Sequence, residues 1–224
     1  MRSAWLALAS LAVLSACGGR PLTEAEVAFL APLHGDTLDV DAVRITATPA
    51  VSIFPITYDA RPRVTCRERI GPPLTGRITA RTGGIVVFQR LFAAPVIAPP
   101  DFVAGEPLDL ALAMFFAHEM THVWQWQNRA LTGYHPLKAL GEQVFTDDPY
   151  LFVSEDAAPF LARGYEEQAS LVEEYLCCAT LDSDGERTAR LFDLLSPVLP
   201  VAPPDAFPRI VTVPWAADLP GICA

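Results

Sequence analysis

Apolar positions recur with different periods along the chain, and the period changes where the chain changes element. Thr23-Glu24-Ala25-Glu26 fits a capping box, with Thr23 as N-cap, and predicts a short helix through about Leu30. His34-Gly35-Asp36 reads as a turn, which places His34 at the surface and not among ligands. Val43 to Thr48 alternates and is β-branched, so it predicts a strand, and Pro49 to Pro62 reads as a proline-punctuated loop. No period decides the stretch from Cys66 up to Thr79. Arg77-Ile78-Thr79-Ala80 and Ile85-Val86-Val87-Phe88-Gln89 read as two strands. Arg81-Thr82-Gly83-Gly84 between them predicts a hairpin turn whose glycines supply positive φ. Pro95 to Pro107 is a loop that leads into a long apolar helix, roughly Leu108 to Asn128. Leu131-Thr132-Gly133 closes it, with Gly133 as the stop.

Lys138 to Tyr150 is mixed and reads as a loop over the site formed by the long helix. Glu155 to Ala162 predicts a short helix despite Pro159. Tyr165 to Thr180 is a stronger helix with Ala169, Val172 and Leu176 on one face, and Glu186 to Leu195 is another. From Pro197 the tail is proline-rich and extended. There is no internal repeat, no low-complexity block and no second domain.

The chemistry lies in the long helix. Phe116-Ala117-His118-Glu119-Met120-Thr121-His122-Val123-Trp124-Gln125 contains His-Glu-x-x-His. Residues four apart lie on one helix face, so His118 and His122 can turn two imidazoles toward one metal ion. Glu119, one step round the helix, is placed to act as general base on a water there. Trp124 and Trp126 read as packing residues. A catalytic zinc site takes three protein ligands and a water. The extended motif with a third histidine would need Gly at 125 and His at 128, where the chain has Gln125 and Asn128. The third ligand must come from elsewhere, and the acidic helix Tyr165 to Tyr175 is the obvious donor.

Here the chain resembles the Glu-zincin peptidases, whose third ligand often sits in a Glu-x-x-Ala pattern. Glu166 and Ala169 match it, with Glu167 as the alternative ligand. Glu173 and Glu174 read as a solvated face or as partners of the ligands. Tyr165, Tyr134 and His135 are candidate donors to an oxyanion. His-Glu-x-x-His-Val-Trp-Gln, the glycine-led Ile-Val-Val-Phe strand and the later Glu-x-x-Ala helix together resemble a group of bacterial zincin-like proteins. That resemblance implies an α+β fold: a small mixed or antiparallel sheet packed on the active-site helix, with a mostly helical C-terminal part. It also implies one Zn2+ per chain, peptide or amide substrates, and an edge strand (Ile85 to Phe88) that binds an extended peptide.

Composition adds compartment. The chain has 224 residues, 51% hydrophobic and 19% charged, which suits one globular domain with a substantial core. Its net charge of −10 argues against a nucleic-acid partner. Arg2 followed by the apolar stretch Ala4 to Ala16 reads as a signal segment. Leu14-Ser15-Ala16-Cys17 resembles the lipobox of bacterial lipoproteins. It implies a signal peptide over 1–16, lipidation of Cys17, a tether over 17–22 and a single domain over 23–224. Gly18 after the cysteine favours the periplasmic face of the outer membrane. Cys66, Cys177, Cys178 and Cys223 remain, an even number that suggests disulfides in an exported chain. Neighbours on a helix point about 100° apart. Cys66 is therefore expected to pair with one of Cys177 and Cys178, and Cys223 with the other.

These expectations describe a lipid-anchored envelope metallopeptidase. The alternative is a non-catalytic envelope lipoprotein on a zincin scaffold that binds a partner. A third reading is a metal-free structural lipoprotein in which the helix merely packs.

Overall fold

The computed structural model describes residues 18–53, 55–146, 148–152, 157–207 and 210–224. The signal segment and Cys17 lie outside the described residues, as do residues 155–156 of the helix expected at 155–162. The fold is α+β. Its helices are α1 (Glu24–His34), α2 (Cys66–Ile70), α3 (Leu110–Gln127), α4 (Arg129–Thr132), α5 (Pro136–Phe145), α6 (Tyr165–Leu181) and α7 (Glu186–Leu195). Its strands are β1 (Arg44–Ala47), β2 (Pro55–Asp59), β3 (Arg77–Arg81), β4 (Gly84–Val87), β5 (Arg90–Ala93), β6 (Leu108–Asp109) and β7 (Val211–Thr212).

Two helices form the centre. α3 starts where the Asp109 carboxylate accepts from Leu112 N–H, and it is buried on almost every side from Ala113 to Gln125. α6 is likewise buried from Gln168 to Thr180 and packs along α3. A helix that is apolar all round belongs inside, and together these two form the floor of the core. A three-stranded mixed sheet, order β1-β5-β4, lies on α3. β1 and β5 run parallel, and β5 and β4 antiparallel. Ile45, Val86 and Leu91 turn inward from it. β6 and β7 pair in parallel and hold the C-terminal tail beside the entry to α3. β2 and β3 form a separate antiparallel pair.

Several expectations change. Arg77–Arg81 is a strand, but it pairs with β2 and not with β4, so Arg81 to Gly84 is not a hairpin turn. The hairpin is β4–β5, closed by Phe88-Gln89, with Phe88 itself at φ 59°. Pro55–Asp59, read as loop, is the strand that takes β3. Part of the stretch read as a loop from Lys138 is α5, which begins on Pro136, where a missing N–H costs nothing. At 160–162 the chain makes one 3-10 turn instead of a helix. α1 runs four residues past its expected end. It therefore carries His34 into the core, where Nε2 meets Thr121 Oγ1 at 3.2 Å. Full burial lowers the His34 pKa to about 3, so the ring is neutral.

Two disulfides, Cys66–Cys177 and Cys178–Cys223, leave adjacent positions of α6 in different directions. The first ties α6 to α2 and the second ties it to the C-terminus. At the other end of the domain Arg20, within the stretch read as a tether, exchanges two main-chain hydrogen bonds of 2.8 Å with Ile45. Its guanidinium grips the buried Glu26 carboxylate at 2.6 and 2.7 Å. The outer edge of β1 is thus covered at Ile45, and among the described residues no strand pairs with the outer edge of β4.

Candidate metal centre

His118 and His122 sit one turn apart on the α3 face that meets α6. Glu166 lies in the first turn of α6, and fully buried Ala169 lets the two helices close up. His118 Nε2 and His122 Nε2 are 3.2 Å apart. Glu166 Oε2 is 3.2 Å from the first and 3.3 Å from the second. These three atoms form a nearly equilateral triangle. Metal–ligand bonds of about 2.0–2.1 Å at tetrahedral angles put ligand atoms about 3.4 Å apart, so the triangle has the size of one face of a tetrahedral zinc site.

The outer hydrogen bonds decide which lone pairs point inward. Gln125 Nε2 donates to Tyr165 O (3.0 Å), a carbonyl that can only accept, and to Gln168 Oε1 (3.1 Å). Gln125 Oε1 therefore faces His122 Nδ1 at 2.9 Å and makes that nitrogen the N–H. His118 Nδ1 faces Glu173 Oε2 at 3.2 Å, and Arg67 Nη1 lies 3.3 Å from the same oxygen. With both Nδ1 atoms donating, both Nε2 atoms offer electron pairs to the point that Glu166 also faces. Three converging donors without a cation repel one another, so the set fits a divalent metal.

The charges agree. Burial opposes charge on His118, but hydrogen bonds and charge from Glu166 and Glu173 outweigh it and raise the imidazole to about 10. Burial likewise pushes Glu166 up, yet the two histidines hold it well below the usual carboxylate range. A site that draws a proton onto an imidazole this strongly favours positive charge at its centre.

Glu119 lies close enough to the same residues to feel their charges. Its carboxylate carries no hydrogen bond among the described residues. Burial raises its pKa and the two histidines pull it down. It lies against β4: a Cβ on Gly84 would stand 2.7 Å from Glu119 Oε1 and 2.8 Å from the Phe115 ring. Gly83 and Gly84 do not have the positive φ expected of a hairpin turn; they serve close approach to α3 instead.

The other expected residues divide. Glu167 turns away and pairs with Arg163 at 2.5 Å. Tyr134 is brought in: it is nearly buried, with its ring 6.4 Å from that of His122. Burial first, then the Glu166 and Glu119 charges, raise its pKa, which keeps the phenol protonated. Tyr165 packs edge-on to Tyr134, but its hydroxyl is committed to Gly133 O at 2.8 Å. His135 is exposed and caps α5 by accepting from Leu137 N–H. Trp124 is core, with its indole N–H on Thr37, and Trp126 packs against Phe88 with the rings tilted by 51° and their centroids 4.6 Å apart. Glu173 and Glu174 are both buried, not a solvated face.

Sequence reasoning named none of three further contributors, although it placed Lys138 to Tyr150, which holds two of them, over the site. Tyr150 packs its ring 5.7 Å from His118. Glu142 of α5 accepts from Tyr165 N–H (2.7 Å) and Glu166 N–H (3.2 Å), so it caps the helix end that carries Glu166. Arg67 comes from a stretch with no periodic signal. For Glu173 a signal existed: it lies seven residues after Glu166, two turns along the same face of α6.

Cys66, Cys178 and Cys223 also cluster, but each is in a disulfide, so the group offers no thiolate. No family model matches the chain, and no curated protein matches it. Among solved structures, the effector domain of Pseudomonas aeruginosa VgrG2b aligns over 80% of this chain and 85% of that one, at 20% identity and a TM-score of 0.49. At that level the likeness bears on neither fold nor function.

Proposed function

We propose that this chain is a zinc metallopeptidase of the zincin type, carried on a bacterial lipoprotein anchor at the periplasmic face of the outer membrane. The observation that supports it most is the His118–His122–Glu166 triangle with the unbonded Glu119 carboxylate beside it. Bound there, zinc would supply a Lewis acid that acidifies a water and polarises a carbonyl. Glu119 takes the proton of the attacking water and passes it to the departing amide nitrogen. Tyr134 donates a hydrogen bond to the oxyanion.

The open β4 edge suits an extended peptide. The two-residue turn makes Val87 and Arg90 a hydrogen-bonded pair, and alternation then leaves the N–H and C=O of Gly84 and Val86 facing outward. The bond from Ala94 N–H to Gly83 O agrees with that phase. A substrate strand added there runs beside Glu119. Two disulfides suit an oxidising compartment. Among the described residues no helix is long and apolar enough to cross a membrane, and the proposed anchor rests on Cys17 alone.

The test pairs metal content with hydrolysis. The purified protein should hold about one zinc per chain, and the His118→Ala/His122→Ala variant none. Glu119→Gln should keep the zinc and lose hydrolysis of a peptide library. Full hydrolysis by Glu119→Gln would end the base assignment, and a zinc-loaded wild type without any hydrolysis would favour the partner-binding scaffold.

A further inference from the structure

His118 is oriented from outside the two central helices. Its Nδ1 meets Glu173, and Glu173 meets Arg67, which stands on α2. α2 has five residues, too few to hold a position by themselves. The C-terminal tail holds its far end, where Arg69 donates to the Asp218, Gly221 and Ile222 carbonyls and Ile70 O accepts from Trp215 N–H, and two attachments tie its first residue to α6. The Cys66–Cys177 bridge is one, and the other is the Glu174 carboxylate, whose two oxygens each accept from Cys66 N–H at 2.9 Å. Cys177 lies one turn beyond Glu173 on α6, and Cys66 is the neighbour of Arg67. The bridge and the Arg67–Glu173 contact therefore span the same short gap between α2 and α6.

We propose that α2 is a working part of the metal centre: the oxidised Cys66–Cys177 bridge holds Arg67 against Glu173, Glu173 fixes the ring of His118, and zinc affinity depends on the bridge. This rests on the zinc reading above. Glu173 is almost fully buried, and a carboxylate at that depth needs a cationic partner to stay a good acceptor. Arg67 is that partner, and Glu68 shares its guanidinium. Partners at this remove from a metal change its affinity by about 10–100-fold when lost. The second bridge, Cys178–Cys223, ties α6 to the tail whose Asp218, Gly221 and Ile222 carbonyls accept from Arg69, so it supports α2 only indirectly and at the end away from Cys66. Reduction of Cys66–Cys177 by a small dithiol converts the bridge to two thiols and the dithiol to its disulfide. It would free α2 and weaken the site. Metal would then bind tightly only after the chain reaches an oxidising compartment.

The experiment is a zinc titration of the full chain against a chromogenic chelator, with the visible bands of the cobalt-substituted protein as a second readout. Cys66→Ser/Cys177→Ser should bind zinc about 10–100-fold more weakly and shift the cobalt bands. Arg67→Met, with both bridges intact, should move in the same direction, while Arg67→Lys, which keeps the charge, should stay within about threefold. Cys178→Ser/Cys223→Ser, which loosens the tail but leaves Cys66 bonded to Cys177, should lose clearly less affinity than Cys66→Ser/Cys177→Ser, although it loses a comparable cross-link. Should the first double variant fail to fold, the Arg67 pair decides. Wild-type affinity in Arg67→Met, or equal losses in the two bridge variants, would overturn the proposal while leaving the zinc site standing. A wild-type chain that takes up no zinc overturns both readings.

Discussion

Gly84→Ala tests the placement of Glu119, the proposed base, separately from the proposed metal. Gly84 has no positive φ, so alanine suits its backbone and only the added methyl matters. That methyl would stand 2.7 Å from Glu119 Oε1, 2.9 Å from Glu119 Cδ and 2.8 Å from the Phe115 ring. Ordinary contact begins near 3.4 Å, so Glu119 must retreat by about 0.7 Å. The Glu119 side chain has no hydrogen bond among the described residues and can yield, so the stability cost should sit near the low end for overpacking, about 1 kcal/mol. For a domain of this length that is a Tm loss of about 2–4 °C. Catalysis is less forgiving, because a misplacement approaching 1 Å can cost about 100-fold. Gly84→Ala should therefore keep one zinc per chain, lose a few degrees of Tm and lose between about 10- and 100-fold in kcat. Gly83→Ala is the control. Its methyl meets Ile97 Cδ1 at 2.7 Å and Phe115 at 3.3 Å but does not touch Glu119. It should lose similar stability and retain kcat. Calorimetry, metal analysis and steady-state peptide hydrolysis read all three quantities. Full kcat in Gly84→Ala, or equal kcat losses in both variants, would refute the reasoning that β4 sets the position of Glu119.

Two further outcomes follow from the same geometry. Glu166→Ala should weaken zinc binding at least about 100-fold, because it removes one of three ligands. Glu167→Ala, which loses only the pair with Arg163, should stay within about twofold, and chelator competition would expose the reverse order at once. Tyr134→Phe should lower kcat by about 10–100-fold with zinc content and KM unchanged, as expected for a donor that acts on the oxyanion alone; an unchanged kcat would remove Tyr134 from the mechanism.

The features legible in the sequence are local ones. The capping box at Thr23 and Glu26, the i, i+4 histidines, the stop at Gly133 and the bounds of Glu186–Leu195 each depend on residues within a turn or two of one another. Glu166 was also readable as a ligand candidate, because a residue pattern on one helix marks it. Even so, the choice between Glu166 and Glu167 needed the rotation of α6 against α3, which is a packing result. Adjacent cysteines on a helix could be seen to diverge, but which of them met Cys66 depended on where α2 lay.

Pairing and burial were decided only by the tertiary structure. β3 and β4 are neighbours in sequence with only Thr82 and Gly83 between them, yet they join different sheets, because strand partners are chosen by long-range packing and not by the turn alone. His34 carries no sign that α1 continues and takes it into the core. Nor does anything in Cys66–Ile70 announce that Arg67 will face Glu173, 106 residues away. The sequence by itself determined the donors and their spacing on one helix, since helical geometry repeats every few residues. The tertiary structure determined the shape of the candidate centre, since Glu166, Glu173 and the strand beside Glu119 come from segments that meet only when the core closes.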